Sequence, residues 1–276
     1  MPIKPVSSFY SRCRASLRRG ARSIAHAKRF VRLSQRVRRV WPRLVQFAMP
    51  NLCALCGNMS HKVLCEGCDG AYWNEARLRC LVCAVPLSTT RRARRAHYRC
   101  DACRAEPPPF DATFALADYR APLDSLALSL KFRVRLALGR EFGRRLAALA
   151  QDALGGEDPP DVVAPVPLAR KRLVERGYNQ AWEIARPFAA ALRVPADATL
   201  IRRVVETAPQ SRLDLAARRH NVGGAFAIGR PVRGLHVAVV DDVMTTGATL
   251  EALARTLKAA GARRVTNFVA LRTPKN

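Results

Sequence analysis

The chain has 276 residues, of which 49% are hydrophobic, and 48 Lys and Arg against 21 Asp and Glu give it a formal net charge of +27. That hydrophobic content excludes general disorder, and no run of about 18 or more apolar residues is present to cross a bilayer as a helix. The length suffices for one large domain or two smaller ones, and the charge predicts a polyanionic partner: nucleic acid, anionic lipid or a phosphorylated ligand.

Residues 1–50 carry 13 Lys or Arg and no acid. Phe30, Leu33, Val37, Val40, Trp41, Leu44 and Val45 recur at near-helical spacing, with Arg32, Arg36, Arg39 and Arg43 on the other side. This predicts a basic amphipathic extension that contacts nucleic acid or, peripherally, an anionic membrane surface. The alternative is a tail whose apolar stripe packs on the following domain. The start lacks the apolar core and small-residue cleavage site of a secretory signal, so the cytoplasm is the expected location.

Residues 51–106 hold eight of the nine cysteines, as Cys53-x-x-Cys56, Cys65-x-x-Cys68, Cys80-x-x-Cys83 and Cys100-x-x-Cys103. Two residues between ligands let one tight turn aim both sulfurs at one ion, and two such turns complete a tetrahedral site. Two structural zinc ions are therefore expected, in a small double zinc ribbon. Sequential and interleaved pairing both fit the spacing. Disulfides are disfavoured in the cytoplasm, and a redox pair would not come four times. Cys13 stands outside the pattern. The segment from Arg91 to Arg99, with Tyr98 among its arginines, predicts a basic loop that binds nucleic acid or is simply solvated.

Pro107, Pro108 and Pro109 read as a short stiff linker, after which 107–276 is expected to form an α/β domain with a mostly parallel sheet. Strands are predicted near 112–119, 161–166, 199–204, 235–240 and 264–271, and helices near 122–131, 138–152, 178–191 and 249–260. The sharpest signal lies between the last two strands. The apolar run Leu235 to Val240 reads as a strand buried on both faces, and Leu250, Leu253, Ala254 and Leu257 recur at helical spacing up to Gly261. The loop from Thr245 through Thr246, Gly247 and Ala248 to Thr249 thus joins a strand's carboxyl end to a helix's amino end, where free amides and the helix dipole favour phosphate. Asp241 and Asp242 just before it repel phosphate but suit a ribose diol, held directly or through Mg2+.

These residues resemble the phosphoribosyl pyrophosphate (PRPP) motif of type I phosphoribosyltransferases. Ala164-Pro165-Val166-Pro167-Leu168, Arg170, Lys171, Arg172 and Arg176-Gly177-Tyr178-Asn179-Gln180 are further similar to motifs of the ComF family, as are Lys131-Phe132, Thr207-x-x-Gln210, Arg218-Arg219-His220-Asn221 and the paired zinc knuckles. Tyr178 stands where Phe is usual. The resemblance implies PRPP binding by Asp241, Asp242, Thr245, Thr246, Gly247, Ala248, Thr249, Arg170 and Lys171. Asp241, Asp242, Arg176 and Lys131 are the expected catalytic set, the two cations meeting charge on departing pyrophosphate. Residues 202–221 read as a mobile loop that closes such sites.

ComF-like proteins are associated with uptake of single-stranded DNA in natural transformation, beside a cytoplasmic DNA translocase, so the resemblance also implies those partners. Three functions are weighed: a competence protein binding single-stranded DNA and PRPP, a salvage phosphoribosyltransferase acting on an unidentified base, and a non-catalytic scaffold. The intact acid pair weighs against the scaffold, and no readable base pocket weighs against salvage.

Overall fold

A computed structural model describes residues 51–73, 78–87, 98–132, 135–155, 159–204 and 224–274. The basic extension, most of the loop from Arg91 to Arg99, and nearly all of the expected mobile loop lie outside the described residues. The chain divides into two compact units. In the first, β1 (Asn51–Leu52) pairs antiparallel with β2 (Met59–Ser60).

The second unit begins with the cysteine turns. Two of the four turns open a short helix capped by the first cysteine of the pair: α1 (Glu66–Tyr72) after Cys65 and α2 (Asp101–Ala105) after Cys100. Next come β3 (Ala112–Asp118), α3 (Asp124–Phe132), α4 (Leu136–Leu154), β4 (Val162–Pro165), α5 (Arg170–Arg176) and α6 (Gln180–Leu192). The chain continues through β5 (Ile201–Arg203), β6 (Phe226–Ile228), β7 (His236–Met244), α7 (Ala248–Ala259) and β8 (Arg264–Arg272).

Four strands make one parallel sheet in the order β3-β8-β7-β4. From Val237 to Val240 β7 is an unbroken apolar run rather than an alternating polar set because both sheet faces are covered. On one face, α7 packs Leu250, Leu253, Ala254 and Leu257 against Val162, Ala164, Val237, Val239, Val265 and Val269. On the other, α3, α4 and α6 cover Ala238, Val240, Phe268 and Ala270. In α4, Leu138, Phe142 and Leu146 are wholly buried, each contributing about 2–3 kcal/mol of transfer free energy. Helices α4 and α6 approach closely at Gly143, where an added Cβ would lie 2.6 Å from the Ile184 carbonyl and 2.6 Å from Pro187 Cγ.

The cysteine segments pack into these same cores. Cys80, Val82, Cys83, Val85 and Cys103 join the α7 face, while Cys53, Leu64 and Cys68 join the α4 and α6 face. Two elements differ from expectation. The strand expected at 199–204 is not in the parallel sheet: β5 and β6 form their own antiparallel pair. A helix not predicted from the pattern, α5, follows β4 and ends at Gly177 with φ 76°; its Leu173 and Val174 are exposed, so it has no apolar stripe to read. Among the described residues no helix is long and apolar enough to cross a membrane.

Candidate functional site

Two cysteine centres are built on one plan. The sulfurs of Cys53, Cys56, Cys65 and Cys68 lie within 4.8 Å of one another, as do those of Cys80, Cys83, Cys100 and Cys103, so the pairing is sequential. The Cys56 and Cys65 sulfurs are 3.7 Å apart and those of Cys83 and Cys100 are 3.6 Å apart. A tetrahedron with Zn–S bonds of ~2.3 Å has edges of ~3.8 Å, so the cages have the size for such an ion. Backbone amides of Cys65 and Cys100 donate to Cys53 Sγ and Cys80 Sγ, each at 3.3 Å. The residue after each first pair takes a left-handed conformation, Gly57 at φ 77° and Ala84 at φ 56°. The sulfurs cannot all ionise without a cation. The hydrogen bond from Cys83, against burial, brings Cys80 down to about 4, whereas its hydrogen bond to Cys80 and burial push Cys83 far up.

The second feature is a crevice of about 210 Å³ at the carboxyl ends of adjacent β4 and β7. Neighbouring strands whose connections lead to opposite faces leave such a crevice open in α/β sheets. The amide of Val166 donates to the Val240 carbonyl at 2.9 Å, which extends the β4–β7 pairing to the point where the chains part. The lining includes Val166, Pro167 and Leu168 from one side and Asp241, Asp242, Val243 and Thr249 from the other. Lys131, Arg172, Arg176 and Arg203 complete it with positive charge.

Both acids are oriented by backbone. Asp241 Oδ1 accepts from the Asp242 amide and Asp242 Oδ1 from the Val243 amide, each at 2.9 Å. Asp242 Oδ2 also lies 3.0 Å from Lys131 Nζ. Burial and the Asp242 carboxylate beside it hold the Asp241 carboxyl well above the ordinary carboxylate range. A second cation or a hydroxyl pair at this place would relieve that repulsion, and hard carboxylate oxygens fit Mg2+.

The basic side is positioned by the segment Arg176 to Gln180. Tyr178 donates its hydroxyl to the Leu130 carbonyl and so ties α6's approach to the end of α3 that bears Lys131. Asn179 caps α6 through the Ala181 amide at 3.0 Å, while its Nδ2 donates to the Val166 carbonyl at 3.0 Å. Arg176 donates to Gln180 Oε1 at 3.0 Å and lies over the Phe132 ring, 5.4 Å from its centroid. Burial, then the Arg172 charge, lower the pKa of Arg203. Guanidinium groups gathered in this way favour a multivalent anion among them.

Of the candidates read from the sequence, the crevice gathers Asp241, Asp242, Lys131, Arg176 and Thr249. Thr245, Thr246 and Gly247 form the turn from β7 to α7, with Ala248 opening the helix. Gly247 has φ 94°, and a Cβ there would meet Met244 Cε at 2.7 Å. Arg170 and Lys171 lie in the first turn of α5, whereas Arg172 of the same helix reaches the lining. Arg203 also lines the crevice; nothing in its local sequence separates it from the many surface arginines. Asn179 and Gln180 belonged to a motif, but their structural roles follow only from the packing.

Comparison with known proteins gives this geometry its relatives. A family model described as the phosphoribosyl transferase domain matches residues 184–275. The chain is 34% identical over 230 residues to DNA utilization protein YhgH of Escherichia coli O157:H7, covering 82% of this chain and 98% of that one. It is 31% identical over 173 residues to competence protein F of Haemophilus influenzae, covering 60% and 75% of the two chains, and 33% identical over 113 residues to competence protein ComFC of Bacillus subtilis, covering 41% and 45%. Among solved structures it is similar to glutamine PRPP amidotransferase from B. subtilis, at 22% identity over 48% of this chain and 25% of that one, with a TM-score of 0.33. The family model and the four-stranded parallel sheet make the fold one of the phosphoribosyltransferase type.

Proposed function

The chain belongs to the ComF family, and on that footing we propose that it binds PRPP with Mg2+ in the crevice at Asp241 and Asp242, binds single-stranded DNA, and serves DNA uptake from the cytoplasm during natural transformation. The observation that carries the PRPP reading is the placement of two adjacent acids and Thr249 against Lys131, Arg172, Arg176 and Arg203 in one crevice. Acids alone would suit a metal and cations alone a phosphate; their opposition suits a ligand with a diol at one end of a sugar and phosphates at both others.

In this reading the turn Thr245–Gly247 and the start of α7 hold the 5-phosphate, since a helix's first amides have no intrahelical acceptors. Asp241 and Asp242 take the ribose hydroxyls. Lys131 holds the Asp242 carboxylate in place, and Arg172, Arg176 and Arg203 face the pyrophosphate. Asp241 and Asp242 would help hold magnesium, which would supply neutralisation of phosphate charge. Two structural zinc ions in the cysteine cages hold their segments folded and leave no open coordination position for chemistry. The net charge of +27 supports a nucleic-acid partner, which brings salt-dependent affinity.

Pyrophosphate release from magnesium PRPP by zinc-loaded protein, measured across free bases, nucleosides and single-stranded oligonucleotides, tests the reading. Release with an oligonucleotide, lost in Asp242→Asn, identifies a transferase that acts on DNA. Release with a free base makes the protein a salvage enzyme instead. If PRPP neither reacts nor binds, the crevice assignment is wrong.

A further inference from the structure

At the end of β8 an arginine is buried almost completely: Arg272 is 1% exposed. Among the described residues no carboxylate lies within ion-pair distance of it, and its hydrogen bonds go to backbone carbonyls. Nε donates to Cys83 at 2.9 Å. Nη1 donates to Met244 at 3.1 Å, to Thr273 at 2.7 Å and to Thr245. One guanidinium therefore joins a metal-cage residue to the two residues that lead from β7 into the Thr245–Gly247 turn.

The placement has two physical consequences. A guanidinium taken out of water needs countercharge as well as acceptors, because carbonyls supply only partial negative charge. Four thiolates around a dication carry a net −2, and the cage of Cys80, Cys83, Cys100 and Cys103 is the anionic group that Arg272 touches through Cys83. The second consequence concerns the turn. Its first carbonyls, at Met244 and Thr245, are held by Arg272, the Met244 carbonyl also accepting from the Thr273 amide at 3.0 Å, and holding them sets the peptide planes that carry the Thr245 and Thr246 amides. The side chain of Arg272 is rigid and planar, so it transmits the position of Cys83 to both carbonyls at once.

The other cage has a different neighbourhood. Its segment meets α4, where Arg145 pairs with Asp69 at 2.6 Å and lies 5.0 Å from the Trp73 ring, and Trp73 packs edge-on against Phe142 at 5.9 Å. Those contacts belong to the α4 and α6 face rather than to the turn.

We propose that Arg272 is a positioning residue for the anion-binding turn and that the second cysteine cage sets its position, so that metal in this cage, and not in the first, governs how tightly the crevice holds a phosphorylated ligand. The inference rests on the PRPP reading for the ligand, but its mechanical part stands without any ligand. It gives the zinc ribbon a role in the binding site beyond holding its own segment folded.

The test uses the full zinc-loaded chain and four proteins: wild type, Arg272→Lys, Cys100→Ser in the second cage and Cys56→Ser in the first. Two quantities are read at a temperature where each is folded: hydrogen exchange of the amides of residues 245–249 without ligand, and affinity for magnesium PRPP by calorimetry with inorganic pyrophosphate as a second probe. Zinc content is measured alongside. Arg272→Lys keeps the charge but cannot span both sets of carbonyls, so exchange in the turn speeds up and PRPP affinity falls by about tenfold or more, with zinc content unchanged. Cys100→Ser gives the same two effects with one zinc lost. Cys56→Ser also loses one zinc but leaves both quantities within about twofold, a change too small to mark a lost hydrogen bond. Equal effects from the two cysteine variants, or turn exchange unchanged in Arg272→Lys, overturn the proposal. Should Arg272→Lys not fold, the cysteine pair decides alone. If wild type binds neither probe while turn exchange follows the predicted pattern, the PRPP reading fails and the coupling stands.

Discussion

Lys131 Nζ sits 3.0 Å from Asp242 Oδ2, joining the last turn of α3 to the acid pair at the end of β7. A residue more than a hundred positions away thus compensates one of two adjacent carboxylates. Replacing it by methionine leaves Asp242 without its cation beside Asp241. The expected cost is about 1–2 kcal/mol without magnesium, since the pair is mostly but not wholly shielded from water. Added magnesium should raise the melting temperature of Lys131→Met more than that of wild type. Equal shifts in the two proteins would show that the acids do not hold the ion.

The raised pKa of Asp241 fixes a direction for pH dependence. The folded protein holds this proton more tightly than the unfolded chain does. Stability from this group is therefore fully present below the unfolded carboxyl value of about 3.9 and is lost as pH rises through the raised folded value. Asp241→Asn removes the loss. At neutral pH, free of ligand and magnesium, the variant should melt about 2–4 °C higher, the shift for roughly 1 kcal/mol, while its PRPP affinity falls. A lower melting point in thermal unfolding near pH 7 contradicts the electrostatic account.

Tyr178 occupies a position where the family resemblance leads one to expect Phe, and its hydroxyl donates to the Leu130 carbonyl. Tyr178→Phe leaves that carbonyl without this donor and should cost about 1 kcal/mol in urea unfolding. A variant as stable as wild type means the hydroxyl adds nothing to the junction of α3 and α6.

At Gly143 the constraint is steric. A methyl group there meets the Ile184 carbonyl and Pro187 Cγ, both at 2.6 Å. Neither can turn away without moving α6, so Gly143→Ala should destabilise by about 1–3 kcal/mol. A change below about 0.5 kcal/mol, the range of ordinary surface substitutions, would mean the helices are not held this closely.

The two cages predict the metal stoichiometry. Denaturation in the presence of a chromogenic chelator should release two zinc ions per chain, with eight further thiols becoming reactive. Release of one ion, or eight thiols already reactive in the native protein, contradicts paired tetrahedral sites.

Much of this architecture was legible because local signals agreed. In β7 and α7 an apolar run, a glycine turn and a helical period occur in succession, and the structure keeps them together, although β7 runs on to Met244 and carries both acids within the strand. The cysteine spacing foretold the cages, while their sequential pairing needed three dimensions. What the sequence did not disclose depends on long-range packing. Arg272 reads as one more arginine near a basic terminus, yet it is among the most buried side chains of the protein. Arg203 likewise enters the crevice only because β5 pairs with β6 outside the main sheet. Helix α5 shows no apolar period because it packs no buried side chain.

The most direct measurement is calorimetric titration of zinc-loaded protein with PRPP, with and without magnesium, in wild type and Asp242→Asn. The account predicts magnesium-dependent binding to wild type at one site per chain and a loss of about tenfold or more in the variant, the cost of removing one charged contact to the ligand. Equal affinity in the two proteins, or no binding to wild type, would contradict the assignment of the acid pair to the ribose.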